Sequence, residues 1–268
     1  MRRCCRSRER RQRSWEFWTP LRLSPSVWVK SNVIRSIAMS GSTVTSVTEL
    51  VNGIVFNGTG AIALDRSQLG NRQTLRLNNT SANQFLTAAC SYAGNEITLI
   101  SLHRNNATAG GRTVYGRLFS LYKTGEFDYG STNGGIMTYG IGGVNGVRFY
   151  RNLATTVTSS PTINDAWGCA VLTRSGTGVT MALDGGSRVS GTTASDNFNF
   201  DKVRIGNDDG PRSDSGLNGY IAENILITRA ITKREEDLVM GYLAWEWGRV
   251  NSLPKNHPYK LRQPLVGD

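Results

Sequence analysis

The chain has 268 residues, of which 38% are hydrophobic, and it carries a formal net charge of +11. This length fits one large β-domain or two small ones, and the sequence has no run of eighteen apolar residues, which excludes a transmembrane helix. The 30 glycines favour many short strands joined by tight turns.

The first fourteen residues differ from everything that follows them. More than half of the net positive charge lies there, because a single acid, Glu9, is set against seven arginines: Arg2, Arg3, Arg6, Arg8, Arg10, Arg11 and Arg13. Such a segment has almost no apolar side chain to bury, so we expect it to be disordered in the free protein. No apolar stretch follows the basic residues, which argues against a secretory or twin-arginine signal.

Three uses of this basic arm, residues 1–14, are open. It could be a solvated tail, a segment that docks on an acidic protein surface through guanidinium–carboxylate pairs, or a nucleic-acid contact that neutralises phosphates. The aromatic residues Trp15, Phe17 and Trp18 come directly after it. We expect them to anchor the first strand on the fold, with stacking on bases as the alternative.

The cysteines fall into two groups. Cys90 and Cys169 lie in apolar surroundings and are expected to be small buried hydrophobes. Cys4 and Cys5 are adjacent and flanked by arginines, whose positive field favours the thiolate. They are therefore candidates for an intermolecular disulfide, and free thiols in the arm are the alternative.

The middle of the chain is predicted to form short strands separated by Gly, Asn and Ser clusters. Runs rich in β-forming residues occur at 53–57, 74–77, 97–102, 113–122, 147–150 and 170–173. Residues 169–173 and 179–184 predict a β-hairpin. In its second strand every other residue is large and apolar, so Val179, Met181 and Leu183 are expected to face a core.

The C-terminal part has the clearest pattern. Residues 220–228 are largely apolar with many β-branched side chains, as in a strand that is covered on both faces. Thr232 and Glu235 then form a capping box at the start of a helix predicted over about 233–249. The helix has an apolar stripe made of Leu238, Val239, Tyr242, Leu243 and Trp245. Gly248 weakens its last turn.

Both ends of the chain resemble one protein family. Residues 241–248 (GYLAWEWG) and 253–259, where Leu-Pro is followed by His-Pro-Tyr, are similar to the C-terminus of the concanavalin-like, laminin-G-like domains of bacteriophage structural proteins and bacterial surface proteins. Residues 19–29 resemble the opening of that family, a proline-flanked segment that leads to a tryptophan. Asp184 and Gly185 lie where the family carries a short hairpin turn.

The resemblance and the strand pattern predict an all-β fold. It is a concanavalin-like, jelly-roll type antiparallel β-sandwich with one C-terminal α-helix and a disordered or extended basic N-terminal arm. Residues 15–268 are expected to form a single domain, which includes the helix and a closing segment over 250–268.

Glycoside hydrolases also use the concanavalin-like fold, with two carboxylates on one strand as acid and nucleophile. Glu126 and Asp128 are the nearest match, but Gly130 stands where a third carboxylate is expected. We expect both acids to be exposed at a strand end and to have no catalytic role. The sequence has no Gly-x-Ser-x-Gly motif, and His257 is interpreted as a structural residue, so the chain is predicted not to be an enzyme.

Two kinds of ligand site remain open. Loop aromatics could bind a glycan, and the candidates are Tyr92, Tyr129, Tyr139 and Trp167, with core or strand-pair positions as the alternative. Asp208, Asp209 and Asp214 lie in one loop and could bind calcium, although Arg212 opposes a cation there. We expect no other cofactor, and the absence of a C-x-x-C motif argues against zinc.

The resemblance implies a non-enzymatic structural protein of a bacteriophage, assembled in the host cytoplasm and located in the virion. Its expected partners are other virion proteins of the capsid, collar or tail, which it would contact through the basic arm and the arm cysteines. The alternative is a glycan- or receptor-binding module of a tail fibre, and a weaker alternative is a nucleic-acid-binding accessory. Self-association is open, and no membrane partner is expected.

Overall fold

The computed structural model describes residues 16–79, 83–106, 116–128, 132–141, 144–152, 154–159, 165–208 and 216–268. The basic arm, with Cys4, Cys5 and every arginine predicted to bind a partner, lies outside these residues. No helix in the described ranges is long and apolar enough to span a bilayer.

Strands dominate the described ranges. They are β1 (Val27–Lys30), β2 (Ile37–Ser40), β3 (Thr43–Thr48), β4 (Val55–Thr59), β5 (Ala63–Leu69), β6 (Arg72–Asn78), β7 (Phe85–Gly94), β8 (Glu96–Asn105), β9 (Gly116–Tyr122), β10 (Gly135–Ile141), β11 (Val144–Arg151), β12 (Ala154–Thr158), β13 (Trp167–Ser175), β14 (Gly178–Leu183), β15 (Val189–Thr192), β16 (Phe198–Ile205) and β17 (Asn218–Ile227). The α-helix is α1 (Lys233–Glu246), and short 3-10 helices lie at Pro20–Leu23, Ile34–Ser36 and Val250–Ser252.

The strands form two antiparallel sheets. The first has the order β15-β14-β13-β8-β17-β6-β5, with β1 also paired to β17, and we call it the helix-covered sheet. The second has the order β12-β11-β10-β9-β16-β7-β4-β3-β2, and we call it the opposite sheet. The predicted β-sandwich with one C-terminal helix is therefore confirmed.

Two apolar layers hold these elements together. The layer between the sheets contains fully buried side chains such as Phe56, Phe119 and Phe149. The layer between the helix-covered sheet and α1 contains residues such as Ile100 and Val239. Strands in the middle of the helix-covered sheet are thus buried on both faces, which explains why the sequence of β17 is largely apolar.

The predicted hairpin is formed by β13 and β14. Val179, Met181 and Leu183 all point into the layer between the sheets, as the alternating pattern predicts. Ala182 lies on the other face of the strand and packs in the layer under the helix.

The predicted capping box is present at the start of α1. The main-chain N–H of Glu235 donates to Thr232 Oγ1 at 3.2 Å, and the N–H of Thr232 donates to Glu235 Oε2 at 2.8 Å. The helix ends at Glu246, about one turn earlier than the sequence predicts. Gly248 explains the difference, because its φ of +68° is incompatible with continued helix.

A buried carboxylate anchors the helix end to the sheet. Glu223 on β17 is 1% exposed and accepts the indole N–H of Trp28 at 2.6 Å and that of Trp247 at 2.7 Å. The two tryptophans come from β1 and from the residue after α1. Burial raises the pKa of Glu223 to about 7, against the smaller opposing effects of Lys30 and of the two indole hydrogen bonds.

This anchor predicts a pH-dependent stability. In the unfolded chain Glu223 ionises near its ordinary pKa of 4.5, whereas the folded protein keeps the proton up to about 7. The Glu223 contribution to the free energy of unfolding is therefore complete below pH 4.5 and falls by about 3 kcal/mol as the pH rises through 7. Urea denaturation at several pH values between 4.5 and 8 measures this slope.

The matched variant is Glu223→Gln, which keeps the size of the side chain but does not titrate. It has a lower stability at low pH, because one amide oxygen cannot serve two indole donors as well as a carboxyl group does. Its slope between pH 4.5 and 7 is expected to be flatter than that of the parent protein. An unchanged slope would show that other groups cause the pH dependence.

Candidate functional site

A cleft of about 580 Å³ opens beside the first turn of α1. We call it the C-terminal cleft. It lies between the turn after β14, the start of the helix and the closing segment, and is lined by residues 185–188, Lys233, Asp237, Pro254 and residues 256–258. Its volume is in the range of ordinary small-ligand sites, about 300–1,000 Å³.

The turn on one side of the cleft is fixed by its own backbone. Asp184 and Gly185 have φ values of +49° and +72°, as a tight turn requires. Asp184 Oδ1 accepts the main-chain N–H of Cys169 at 2.9 Å and an N–H of Arg249 at 3.0 Å. The turn is therefore tied both to β13 and to the segment after the helix.

The closing segment on the other side is held by hydrogen bonds of its own. The N–H of His257 donates to the carbonyl of Pro254 at 3.0 Å. Lys260 Nζ donates to the carbonyls of Val250 and Leu253, both at 2.8 Å. The prediction that His257 is structural agrees with these contacts, and its side chain is only 2% exposed.

Charges of both signs meet on the helix side of the cleft. Arg188 Nε donates to Glu236 Oε2 at 2.9 Å, and Lys233 Nζ lies 3.2 Å from Glu236 Oε1. His257 Nε2 lies 3.5 Å from Asp237 Oδ1, which would be an ion pair if the imidazole were protonated. Burial lowers the pKa of His257, however, so this contact joins a neutral imidazole to a carboxylate at neutral pH.

Three buried polar atoms beside the cleft have no hydrogen-bond partner among the described residues. They are Nη2 of Arg188, Nε2 of His257 and Oε1 of Glu236. Ser187 and Asn256 are exposed at the rim and carry further donors and acceptors. This mixture of donors, acceptors and opposite charges suits a neutral polyhydroxylated ligand, because each hydroxyl can both donate and accept.

An aromatic patch lies beyond the Arg249–Asp184 ion pair. We use this name for Arg104, Asp165, Trp167 and Tyr220. The rings of Trp167 and Tyr220 are 6.1 Å apart, and the Arg104 guanidinium lies 5.8 Å from the Tyr220 ring and 2.9 Å from Asp165. Trp167, predicted as a glycan contact, is thus half-buried in a ring pair.

The other predicted glycan contacts lie elsewhere. Tyr139 is not in a loop: it lies on β10, is 1% exposed and packs between the sheets, because it shares the inward face of the strand with Met137. Tyr92 lies on β7, packs against Phe200 at 5.8 Å and donates its hydroxyl to the carbonyl of Glu96 at 2.5 Å. Tyr129 lies outside the described residues.

Of the three candidate calcium ligands, the structure describes only Asp208. Asp208 is 4% exposed, and its carboxylate lies 3.8 Å from Arg117 Nη2. Asp209 and Asp214 lie outside the described residues. Within the described ranges, no group of three His, Cys, Asp or Glu side chains has the arrangement of a metal site.

The expectation that Asp128 is exposed is wrong. Asp128 is 2% exposed and accepts from Arg117 Nε at 2.9 Å and from Ser120 Oγ at 2.7 Å. The buried cation explains its position, since a desolvated arginine needs a carboxylate close by. Glu126 is half-exposed and accepts from Asn133 Nδ2 at 2.5 Å.

The two described cysteines behave as apolar side chains. Cys169 is buried in the layer under the helix, and burial raises the pKa of its thiol well above the usual range. Cys90 is half-buried against the layer between the sheets, and burial raises its pKa too. Both thiols are therefore protonated at neutral pH.

The sequence signals did not single out the cleft residues as a site. Lys233 and Asp237 are spaced as neighbours on one helix face, which is the signal that could have joined them. The contact of this face with residues 185–188 depends on the tertiary fold. It joins segments about fifty residues apart in the sequence, as the Arg188–Glu236 ion pair shows.

No protein-family model matches the chain, and no curated protein matches its sequence. Solved structures do match. The botulinum neurotoxin serotype G binding domain has a TM-score of 0.58 and 15% identity over 85% of this chain and 52% of that one. Domain 4 of AbnA, a GH43 extracellular arabinanase from Geobacillus stearothermophilus, has a TM-score of 0.54 and 13% identity over 79% of this chain and 95% of that one.

A Trypanosoma rangeli sialidase is similar at the same level, with a TM-score of 0.54 and 13% identity over 82% of this chain and 33% of that one. The chain is an antiparallel β-sandwich like these domains. The match covers about half of the length of the neurotoxin binding domain. At these identities the likeness establishes the fold.

The turn beside the cleft provides a stability test. A Cβ added at Gly185 would lie 2.8 Å from His257 Cδ2, whereas one added at Gly176 meets nothing within 4 Å. Both glycines have positive φ, +72° and +57°. Gly176→Ala is thus expected to cost about 1–2 kcal/mol of backbone strain alone.

Gly185→Ala has the same strain and also displaces His257, so it is expected to cost about 1–3 kcal/mol more than the Gly176→Ala control. Urea denaturation of both variants measures the difference. Equal losses would mean that His257 is not packed against this turn.

Proposed function

We propose that the chain is a non-enzymatic glycan-binding module and that the C-terminal cleft is its binding site. The observation that carries this proposal is the cleft itself, in which Arg188 and His257 keep unpartnered polar atoms beside exposed Ser187 and Asn256. The similar structures support it at the level of the fold, because domain 4 of AbnA is in complex with arabinotriose.

The chemistry of the cleft favours a sugar over an apolar ligand. Lys233 and Asp237 supply a donor and an acceptor, and Asn256 supplies both. Pro254 and Pro258 supply apolar surface for the C–H face of a pyranose or furanose ring. A hydroxylated ligand can therefore satisfy polar atoms and cover apolar surface in one pose.

The arrangement of acids supports a binding role without hydrolysis. Glycosidases place two carboxyl groups on opposite sides of the scissile bond, roughly 5–9.5 Å apart. The acids at the cleft, Glu236 and Asp237, are consecutive residues on one wall. Glu236 is 1% exposed and engaged by Arg188 and Lys233, and Asp128 is engaged by Arg117 away from the cleft.

The test is direct binding of oligosaccharides to the full chain by calorimetry, followed by affinity electrophoresis in gels that contain polysaccharides. Arabinotriose and other pentose oligosaccharides come first in the panel. The double variant Ser187→Ala, Asn256→Ala is expected to bind about tenfold more weakly or worse, because two hydrogen bonds to the sugar are lost. Asn57→Ala, an exposed change on β4 of the opposite sheet, is the matched control and is expected to bind normally.

Trp167→Ala separates the cleft from the aromatic patch. With the cleft as the site, this variant keeps most of its affinity. Loss of binding in Trp167→Ala together with normal binding in the double variant would move the site to the patch. Failure of the parent protein to bind any member of the panel would overturn the glycan-binding proposal.

A second candidate function is docking in a bacteriophage virion. It is supported by the positive charge and the two adjacent cysteines of residues 1–14 and by the family resemblance of residues 241–259. The partner would be a capsid, collar or tail protein with an acidic surface.

Its test uses the native assembly, resolved on reducing and non-reducing gels with mass spectrometry of any shifted band. A reducible adduct through Cys4 or Cys5 is the expected result of covalent docking. A chain that begins at Trp15 and still joins the assembly normally would contradict any role of the arm.

A further inference from the structure

Two arginines point into the sandwich from opposite sheets. Arg151 ends the inward-facing series Val147, Phe149, Arg151 on β11, and Arg174 ends the series Ala170, Leu172, Arg174 on β13. Their exposures are 2% and 0%. The strand pattern thus places two cations at one end of the layer between the sheets, where the preceding residues are apolar.

Both guanidinium groups contact the same ring. The Arg151 Cζ lies 4.4 Å and the Arg174 Cζ lies 4.6 Å from the centre of the buried Phe198 ring. Cation–π contacts of this kind stabilise a desolvated guanidinium, although they do not replace hydrogen-bond acceptors. The two guanidinium carbons therefore lie within about 9 Å of each other.

One nitrogen of each arginine is fully engaged. Arg151 Nη2 donates to the carbonyls of Thr132 and Asn197 at 2.5 and 2.8 Å. Arg174 Nη2 donates to the carbonyls of Ala194 and Asp196 at 3.0 and 2.7 Å. The two side chains therefore hold the loop before β16 against the end of the sandwich.

The other nitrogens have no acceptor. Nε and Nη1 of both arginines are buried and make no hydrogen bond among the described residues, and no described carboxylate lies within ion-pair distance of either group. Asp196 is the acid whose charge acts on both, but its side chain is exposed and only its main-chain carbonyl accepts. Oγ1 of Thr193, in the same loop, is also buried without a partner.

This arrangement is unfavourable as it stands. Buried charges in proteins are normally paired, and each buried N–H without an acceptor costs free energy. Burial and mutual repulsion lower the pKa of Arg151 to about 10, and burial lowers that of Arg174 as well. Both groups nonetheless remain cationic at neutral pH, so two like charges share this end of the core.

We propose that a small inorganic anion of the size of chloride binds between Arg151 and Arg174. It supplies the negative charge that no described side chain supplies and accepts the free Nε–H and Nη1–H groups. The arginines and Phe198 are almost fully buried, so the proposed ligand is a monatomic ion and not a glycan. It lies at the opposite end of β13 from Cys169 and the C-terminal cleft and is independent of the proposed sugar binding.

The first test measures thermal unfolding of the full chain in sodium chloride and in sodium gluconate at equal ionic strength. Gluconate is too large for an enclosed site, so the comparison removes general screening. At a chloride concentration about five times the Kd, the midpoint is expected to be about 2–4 °C higher than in gluconate, and it continues to rise with the logarithm of the chloride concentration. Equal midpoints at every concentration would overturn the proposal.

The variants Arg151→Met and Arg174→Met remove one cation each and are expected to abolish the chloride dependence. Arg204→Met is the matched control, because Arg204 also stacks on an aromatic ring, that of Phe85 at 4.0 Å, on the outside of the opposite sheet. It is expected to keep the dependence. A chloride effect that persists in both inner-arginine variants would place the anion elsewhere and overturn the proposal.

Crystals of the parent protein grown in sodium bromide give a direct test that needs no variant. An anomalous bromide peak within hydrogen-bond distance of both guanidinium groups is the expected result. Ordered water alone at that position would overturn the anion site.

Discussion

The position of the C-terminal helix depends on one buried carboxylate. Glu223 receives the indole N–H of Trp28 and that of Trp247, so a single side chain on β17 joins the first strand, a central strand and the end of α1. Charged groups are costly to bury, but here both carboxylate oxygens have a donor, and Lys30 lies close enough to lower its pKa. The helix end is thereby fixed on the helix-covered sheet.

The C-terminal cleft is connected to that anchor through the chain that follows Trp247. Two residues after Trp247 lies Arg249, which donates hydrogen bonds to Asp184 and to the carbonyl of Trp167. The same few residues thus set the distance between the turn after β14 and the closing segment. A binding cleft made of short turns is then carried on a rigid base, since each of its walls is bonded to a strand or to the helix.

The sequence predicted local features well and tertiary pairings poorly. The capping box and the alternation in β14 depend on residues within a few positions of one another, and both were confirmed. Asp128 could not be recognised as buried, because its partner Arg117 is brought to it only when the chain folds back after β9. Tyr139 was misplaced for a similar reason: its glycine-rich neighbours look like a loop, whereas the sheet partners on both sides make it a core strand.

The position of an arginine in a strand pattern can predict that it is buried, which composition alone does not show. Among the positive charges of this chain, Arg151 and Arg174 follow inward-facing apolar residues at a period of two, so their parity alone places them inside. The C-terminal cleft has positive and negative groups in contact, as in the Arg188–Glu236 pair, and therefore needs a ligand only for its remaining polar atoms. At the opposite end of the sandwich, Arg151 and Arg174 are buried and form no ion pair with a described carboxylate. Because buried charges are normally paired, the proposed anion would stabilise the fold, whereas the proposed sugar would be the ligand on which the function depends.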